Sequence, residues 1–305
     1  MWIYIILFLF IILFIGLLFV FFGMAFVRKK SANTGNVEDS EYLKPYLEKL
    51  RPNLHFINAK HYEELSILSF DGLRIYGRYY DNNSDKTIIL VHGYRSNGMH
   101  DFCGAVKFYY DFGFNILVID QRSHGKSEGK LITFGVKESF DVKDWAEFLN
   151  KKYKPKQIVL SGVSMGGTTV AFALKRGLPQ NVKCVIADCG FTSPAAIISK
   201  VGYDRFKINA KFYMPFLNVM THIFGNFSIY ESTVDTLKEN KIPIVFIHGE
   251  KDNFVPAAMS HEALNAAGEY GVGIFVKDAD HGLSYLVETE RVTNEINNFL
   301  AKNLI

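Results

Sequence analysis

Gln157-Ile158-Val159-Leu160-Ser161-Gly162-Val163-Ser164-Met165-Gly166-Gly167 is the stretch on which the reading of this chain turns. An apolar run, 157–160, leads into a Gly-x-Ser-x-Gly pentapeptide, and a helix-like stretch, 168–176, follows. A serine at a tight strand-to-helix turn is lifted clear of the backbone, and glycines two residues to either side remove side chains that would collide there. The same turn aims the first amide N–H groups of the helix at the place where a tetrahedral oxyanion would form. Glycine and serine are common, so the pentapeptide alone fits a structural turn as well as a nucleophile. The rest of the chain decides between them.

From about Glu63 onward, short β-rich runs alternate with longer helical patterns, which predicts a mostly parallel sheet covered on both faces. Residues 63–70 and 73–80, joined at Asp71-Gly72, read as an opening antiparallel hairpin. Runs at 87–91, 115–119, 157–160, 182–187, 244–247 and 273–276 have the composition of buried parallel strands. Helical spacing marks 101–112, 136–151, 168–176 and 283–300. An insertion from Thr192 to about Leu237, rich in Phe, Tyr, Ile and Met, breaks the alternation and is expected to form a small helical cap over the strand ends. An apolar cap implies a substrate with a hydrophobic portion.

The 305 residues suffice for one large α/β domain. A formal net charge of +3, with acids and bases interspersed, gives no basic stripe, so no nucleic-acid partner is expected. Cys103, Cys184 and Cys189 lack CxxC or Cys/His spacing, which suits a reduced compartment better than a disulfide framework. Residues 2–27 form an uninterrupted apolar and aromatic run, long enough to span a bilayer. The basic n-region and short apolar core of a secretory signal are missing, so the run is read as a single-pass membrane anchor. Arg28, Lys29 and Lys30 follow it and no basic residue precedes it, which puts the following domain on the cytoplasmic side. The expected organisation is an anchor with its basic flank at 1–30, a tether at 31–60 and the globular domain at 61–305. The tether includes an amphipathic pattern over 42–50 that is expected to pack on the domain, with Pro45 limiting where a helix can start.

In an open α/β sheet, reactive groups gather just past the carboxyl ends of the strands. Four such positions are chemically loaded: His92-Gly93-Tyr94-Arg95-Ser96-Asn97, Ser164, His248-Gly249-Glu250-Lys251-Asp252, and Asp278-Ala279-Asp280-His281-Gly282. A serine, an acid and a histidine therefore occur in the order Ser164, Asp252, His281. Neither a Walker loop nor a metal-ligand cluster is present, and no dinucleotide GxGxxG precedes a helix, so no cofactor and no metal is expected.

Five motifs in order carry a resemblance: Leu90-Val91-His92-Gly93-Tyr94, Asp120-Gln121-Arg122-Ser123-His124-Gly125-Lys126-Ser127, Gly162-Val163-Ser164-Met165-Gly166-Gly167, His248-Gly249-Glu250-Lys251-Asp252-Asn253-Phe254-Val255-Pro256, and Asp280-His281-Gly282. Over about residues 65–300 the chain resembles the α/β-hydrolase superfamily, and more narrowly its serine aminopeptidase S33-like and monoacylglycerol-lipase-like members. Ser123 departs from the pattern, which usually has glycine there. The resemblance implies an α/β-hydrolase fold: a mostly parallel eight-stranded sheet with helices on both faces and a small helical cap, preceded here by the N-terminal transmembrane helix.

It also implies roles. Ser164 is expected as nucleophile, His281 as its base and Asp252 as the acid that fixes the imidazole. Oxyanion donors are expected at the backbone N–H groups of Tyr94 and Met165. Against the competing acids Asp188, Asp278 and Asp280, Asp252 fits best: Asp188 is expected to order the start of the cap, and Asp280, one residue from His281, to point elsewhere. His92, His124 and His248 are expected to make structural hydrogen bonds. Glu138, Asp141 and Asp144, at helical spacing with Lys137 and Lys143, read as a solvated face. The leading functional expectation is a membrane-anchored serine hydrolase acting on a small-molecule acyl ester or lipid-like substrate. A serine peptidase and an acyltransferase of the same fold are the alternatives, and a non-catalytic binding protein stands as a reading of a different class.

Overall fold

The computed structural model describes residues 2–29 and 37–304. Its centre is one sheet with strand order β1-β2-β4-β3-β5-β6-β7-β8. The strands are β1 (Glu63–Leu68), β2 (Arg74–Tyr80), β3 (Lys86–Val91), β4 (Asn115–Ile119), β5 (Gln157–Val163), β6 (Val182–Asp188), β7 (Ile244–Gly249) and β8 (Gly271–Val276). β2 runs antiparallel to β1 and β4, and every other pairing is parallel. This is the expected hairpin followed by the expected parallel set.

The helices are α1 (Trp2–Phe26), α2 (Leu47–Asn58), α3 (Gly98–Asp101), α4 (Val106–Asp111), α5 (Glu138–Lys152), α6 (Met165–Ala173), α7 (Pro194–Phe206), α8 (Met214–Gly225), α9 (Thr233–Lys238), α10 (Ala258–Ala267), α11 (Ser284–Val287) and α12 (Thr289–Asn303). Side chains alternate across the sheet, so its two faces bury different sets. Ile88 and Leu90 pack with Leu50 of α2, Val106 of α4 and Val292 of α12, while Ile89 and Val91 pack with Trp145 of α5, Val170 of α6 and Ala263 of α10. Both faces being covered is why these strands read as continuous apolar runs.

Three local readings change. The helix expected over 101–112 is split into α3 and α4; Asn97 caps α3 by accepting the His100 N–H at 3.0 Å, so it starts earlier. The helix expected over 283–300 is likewise split into α11 and α12. Glu138 and Asp141 are buried rather than solvated. Asp141 takes both Arg122 Nε and Nη2, at 2.7 and 2.6 Å, and Glu138 accepts the N–H groups of Thr133 and Gly135. Helical spacing of charges cannot reveal a bidentate guanidinium arriving from a loop. The 42–50 pattern packs as expected, with Leu43 and Leu50 in the core, but Pro45 sits in a short 3₁₀ turn and α2 begins at Leu47.

Of the insertion expected as a cap over 192–237, α7 and α8 pack over the catalytic end of the sheet with Phe134, Met165 and Phe191, whereas α9 packs on α6 and α10 with Leu237 in the core of one sheet face, so the cap stops short of it. Against the cap lie the last turns of α1, whose Leu18, Phe22 and Phe26, four residues apart on one stripe, are buried with Leu217, Met220 and Phe227. Each such burial contributes on the order of 1.5–3 kcal/mol, so this end of α1 is part of the folded body. The chain then continues as a bridge between Val27 and Leu131. Of the tether expected at 31–60, residues 31–36 lie outside the described residues.

Candidate active site

Ser164 joins β5 to α6 with φ +57° and ψ −119°. Such a conformation costs a non-glycine residue on the order of 1–3 kcal/mol and persists only where its surroundings fix it. Its N–H donates to Asp188 O at 2.8 Å, and its carbonyl accepts the Thr168 N–H at 3.1 Å. The flanking glycines are demanded by space. A Cβ on Gly162 would stand 2.1 Å from Gly166 O, and one on Gly166 would stand 1.9 Å from Val91 O. The turn is too tight for any side chain at either position.

β7 and β8 deliver the other two groups. His281 Nε2 lies 3.0 Å from Ser164 Oγ, and His281 Nδ1 lies 2.7 Å from Asp252 Oδ2. With Nδ1–H given to the carboxylate, Nε2 turns its lone pair to the serine hydroxyl, the arrangement needed to take that proton. Asp252 Oδ1 accepts the amides of Phe254 and Val255 at 2.9 and 2.8 Å. Burial opposes the charge on Asp252, but hydrogen bonds from His248 and His281, with the Val255 amide, outweigh it and hold the carboxyl well below the usual carboxylate range. Asp280 accepts the His281 amide at 2.7 Å, and Asp278 pairs with Lys251. Neither is a rival for the acid.

His248 does more than the sequence indicated. It is fully buried, its Nε2 lies 3.0 Å from Asp252 Oδ2 and 2.9 Å from Val255 O, and its Nδ1 lies 2.6 Å from Ser260 Oγ. Two acceptors around Nε2 assign the proton there, so a second imidazole shares the acid of the relay. Asp101 is the other residue that sequence reading passed over. From α3 it accepts the Gly93 N–H at 2.6 Å and the Ser96 hydroxyl at 2.5 Å, and burial of its carboxylate is overcome by these bonds and by His100, so its pKa falls. Nothing in the spacing of a lone acid eight residues past a glycine signals this.

His124, expected in a structural role, accepts the Arg95 N–H at 2.9 Å and donates from Nδ1 to Arg122 O; burial, helped by His92, lowers its pKa to about 3, so it stays neutral. His92 likewise bonds Gly93 O and accepts the Gln121 N–H. Ser123 adopts φ +64°, the left-handed conformation that glycine takes more freely. In the loop 93–96, the amides of Gly93, Arg95 and Ser96 are thus all engaged, on Asp101, on His124 and on Gly93 O. The Tyr94 amide has no protein acceptor among the described residues, and neither has that of Met165, the first residue of α6. Gly93 itself lies against the serine: a Cβ there would stand 3.2 Å from Ser164 Cβ. Two donors are therefore left open around Ser164.

Cys189, Asp252 and His281 present ligand-type atoms within 4.8 Å of one another. Metal binding would need the thiolate, yet burial, reinforced by Asp188 and Asp252, pushes the Cys189 thiol far up. Asp252 Oδ2 is already shared by two imidazoles, so the trio fits a hydrogen-bond relay rather than a metal centre.

Two cavities meet at Ser164. One, of about 270 Å³, is lined by Tyr42, Asp101, Tyr109, Asp188 and His281; the other, of about 200 Å³, runs between the end of α1 and α7. Together they fall in the range of small-ligand pockets, about 300–1,000 Å³. Asp188 Oδ1 is buried with no hydrogen-bond partner among the described residues, and burial, with Asp252 adding, raises its carboxyl to about 7 against the pull of His248 and His281.

Residues 86–218 match the family model for the alpha/beta hydrolase fold. The chain is 22% identical over 224 residues to the protein YqkD of Bacillus subtilis, covering 72% of each, and 24% identical over 240 residues to a proline iminopeptidase of Saccharolobus solfataricus, covering 74% of this chain and 75% of that one. A solved structure of the Pyrococcus furiosus esterase Pf2001 superposes with a TM-score of 0.66 at 26% identity, over 80% of this chain and 93% of that one. With this sheet order, this turn at Ser164 and this match, the chain has the α/β-hydrolase fold.

Proposed function

We propose that the protein is a membrane-anchored serine hydrolase that cleaves carboxylic esters. The observation that carries this is the unbroken relay from Asp252 through His281 to Ser164 Oγ, at 2.7 and 3.0 Å, on a strained turn. Ser164 Oγ attacks the ester carbonyl carbon while His281 Nε2 takes its proton, and the tetrahedral oxyanion is met by the amides of Tyr94 and Met165. Collapse expels the alkoxide, which leaves with the proton from His281, and an acyl-enzyme remains. Water, deprotonated by His281, then attacks the acyl carbon, and the carboxylic acid departs as Ser164 regains its proton. Asp252 stays ionised throughout and stabilises the imidazolium. The likeness to an esterase at 26% identity supports the ester reading, and α1, long and apolar enough to cross a membrane, supports the anchor. Arg28 and Lys29 at its end support a cytoplasmic catalytic domain.

A fluorophosphonate probe should label the full chain, and Ser164→Ala should remove both the labelling and p-nitrophenyl ester turnover, by about 10⁴-fold or more. A wild-type chain that never labels would sink the proposal. One observation favours a second reading, a peptidase taking a free amino terminus: Asp188, whose Oδ1 has no hydrogen-bond partner among the described residues, lines the larger of the two cavities at Ser164, where it could pair with an ammonium group. Comparing short acyl esters with aminoacyl amides of the same leaving group separates the two.

A further inference from the structure

Resting on Ser164 as nucleophile and α1 as a membrane span, we propose that the last turns of α1 form one wall of the acyl-binding cleft. The cleft takes the acyl chain of an ester that still lies in the bilayer. The cavity of about 200 Å³ that reaches Ser164 is bounded by Phe21, Met24 and Ala25 of α1 on one side and by Ile198, Val201 and Phe206 of α7 on the other. Polar groups in its lining are confined to Tyr94, Arg95, Ser164 and Arg205. An apolar slot ending at a serine hydroxyl suits a hydrocarbon chain whose carbonyl must sit at that hydroxyl.

The wall is fastened to the catalytic loop. Tyr94 Oη donates to Ala25 O at 2.8 Å, and Arg95 Nη2 donates to Met24 O at 2.6 Å and Val27 O at 3.1 Å. These are carbonyls that a helix C-terminus leaves open, and the guanidinium charge suits that end of the helix dipole. The segment that supplies the open Tyr94 amide thereby holds the helix that walls the cavity.

Depth follows from the helix itself. Arg28 and Lys29 mark the headgroup level, and at about 1.5 Å per residue Ala25 and Phe21 stand roughly 5–10 Å to the hydrocarbon side of it. α8 packs on the preceding turns of α1, with ring centroids of Phe14 and Phe216 at 5.3 Å and of Phe19 and Phe224 at 6.0 Å. At the same rise Phe19 and Phe14 stand roughly 14 and 21 Å to the hydrocarbon side of Arg28, so α8 lies deeper than the cavity wall, and its outward residues Phe216, Val219 and Ile223 are 50%, 56% and 69% exposed. A soluble surface rarely presents such a contiguous apolar face. Arg205, Lys207 and Lys211 edge the same cap, the pattern of a surface seated at an interface. The cleft mouth then lies level with the ester groups of the lipid layer, and an acyl chain passes between α1 and α7 without crossing water.

The test uses the full chain in phosphatidylcholine vesicles with p-nitrophenyl esters of increasing acyl length, and a long acyl ester presented either embedded in the vesicle or dissolved as monomer. Ala25→Phe narrows the cleft and should cut the long-to-short ratio of kcat/KM about tenfold or more; Phe21→Ala widens it and should move the preferred length upward. Opposite shifts cannot come from general misfolding. An unchanged length profile in both variants, with turnover intact, overturns the wall. Equal turnover of embedded and dissolved ester overturns uptake from the bilayer. A wild type that fails to label at Ser164 overturns instead the hydrolase reading beneath both.

Discussion

Asp252 serves two imidazoles, and this gives His248 a measurable role although it does not touch Ser164. Removing it in His248→Gln leaves more of the carboxylate charge to His281, which raises the imidazolium's stability. A more stable imidazolium gives its proton to the leaving alkoxide less readily, so kcat should fall about tenfold while KM holds; an unchanged kcat would make His248 a packing residue only. Asp188 titrates in the opposite sense to Asp252. Its folded carboxyl is raised from 3.8 to about 7, so the native chain holds a proton that the unfolded chain has lost between those values. The stability it contributes is complete below about pH 3.8 and drains as pH rises toward 7. Asp188→Asn should remove that decline, so that its unfolding free energy gains on wild type increasingly from pH 4 to 7, by a few kcal/mol in all, with the melting temperature rising in step. Parallel melting curves for both proteins would contradict the raised carboxyl.

The turn between β5 and α6 is the element in which sequence and structure agree most closely. Gly162 and Gly166 were legible as glycines of an elbow, and the structure adds what they make room for: Gly166 packs its α-carbon on Val91 O of β3. Gly166→Ala should therefore lower the melting temperature by several degrees or abolish soluble expression, and lose fluorophosphonate labelling in any protein that folds. Retention of both would mean that β3 and α6 are further apart. Parallel strands were readable because burial on both faces leaves a continuous apolar run. The loop contacts were not, since Asp101 reaching back to Gly93, or Arg122 reaching Asp71 and Asp141, is a pairing across a fold that local pattern cannot encode.

At the scale of the molecule, the apolar face of α8 and the end of α1 form one surface. With the native cysteines all buried, a nitroxide attached through Ile223→Cys in vesicle-bound protein should be relaxed by oxygen and shielded from a water-soluble nickel complex. The reverse accessibility would put α8 in water. The sequence by itself determined the strand and helix alternation, the membrane-length run at α1, and the serine, acid and histidine in their order, because each depends on local composition or on a turn only certain residues can make. Tertiary structure alone decided that His281 reaches both Ser164 and Asp252, that Asp101 and His248 brace the site, and that α1 ends as a wall of the cavity. Those are distances between segments far apart in the chain, fixed by packing of the sheet, cap and helix rather than by any residue's own preference.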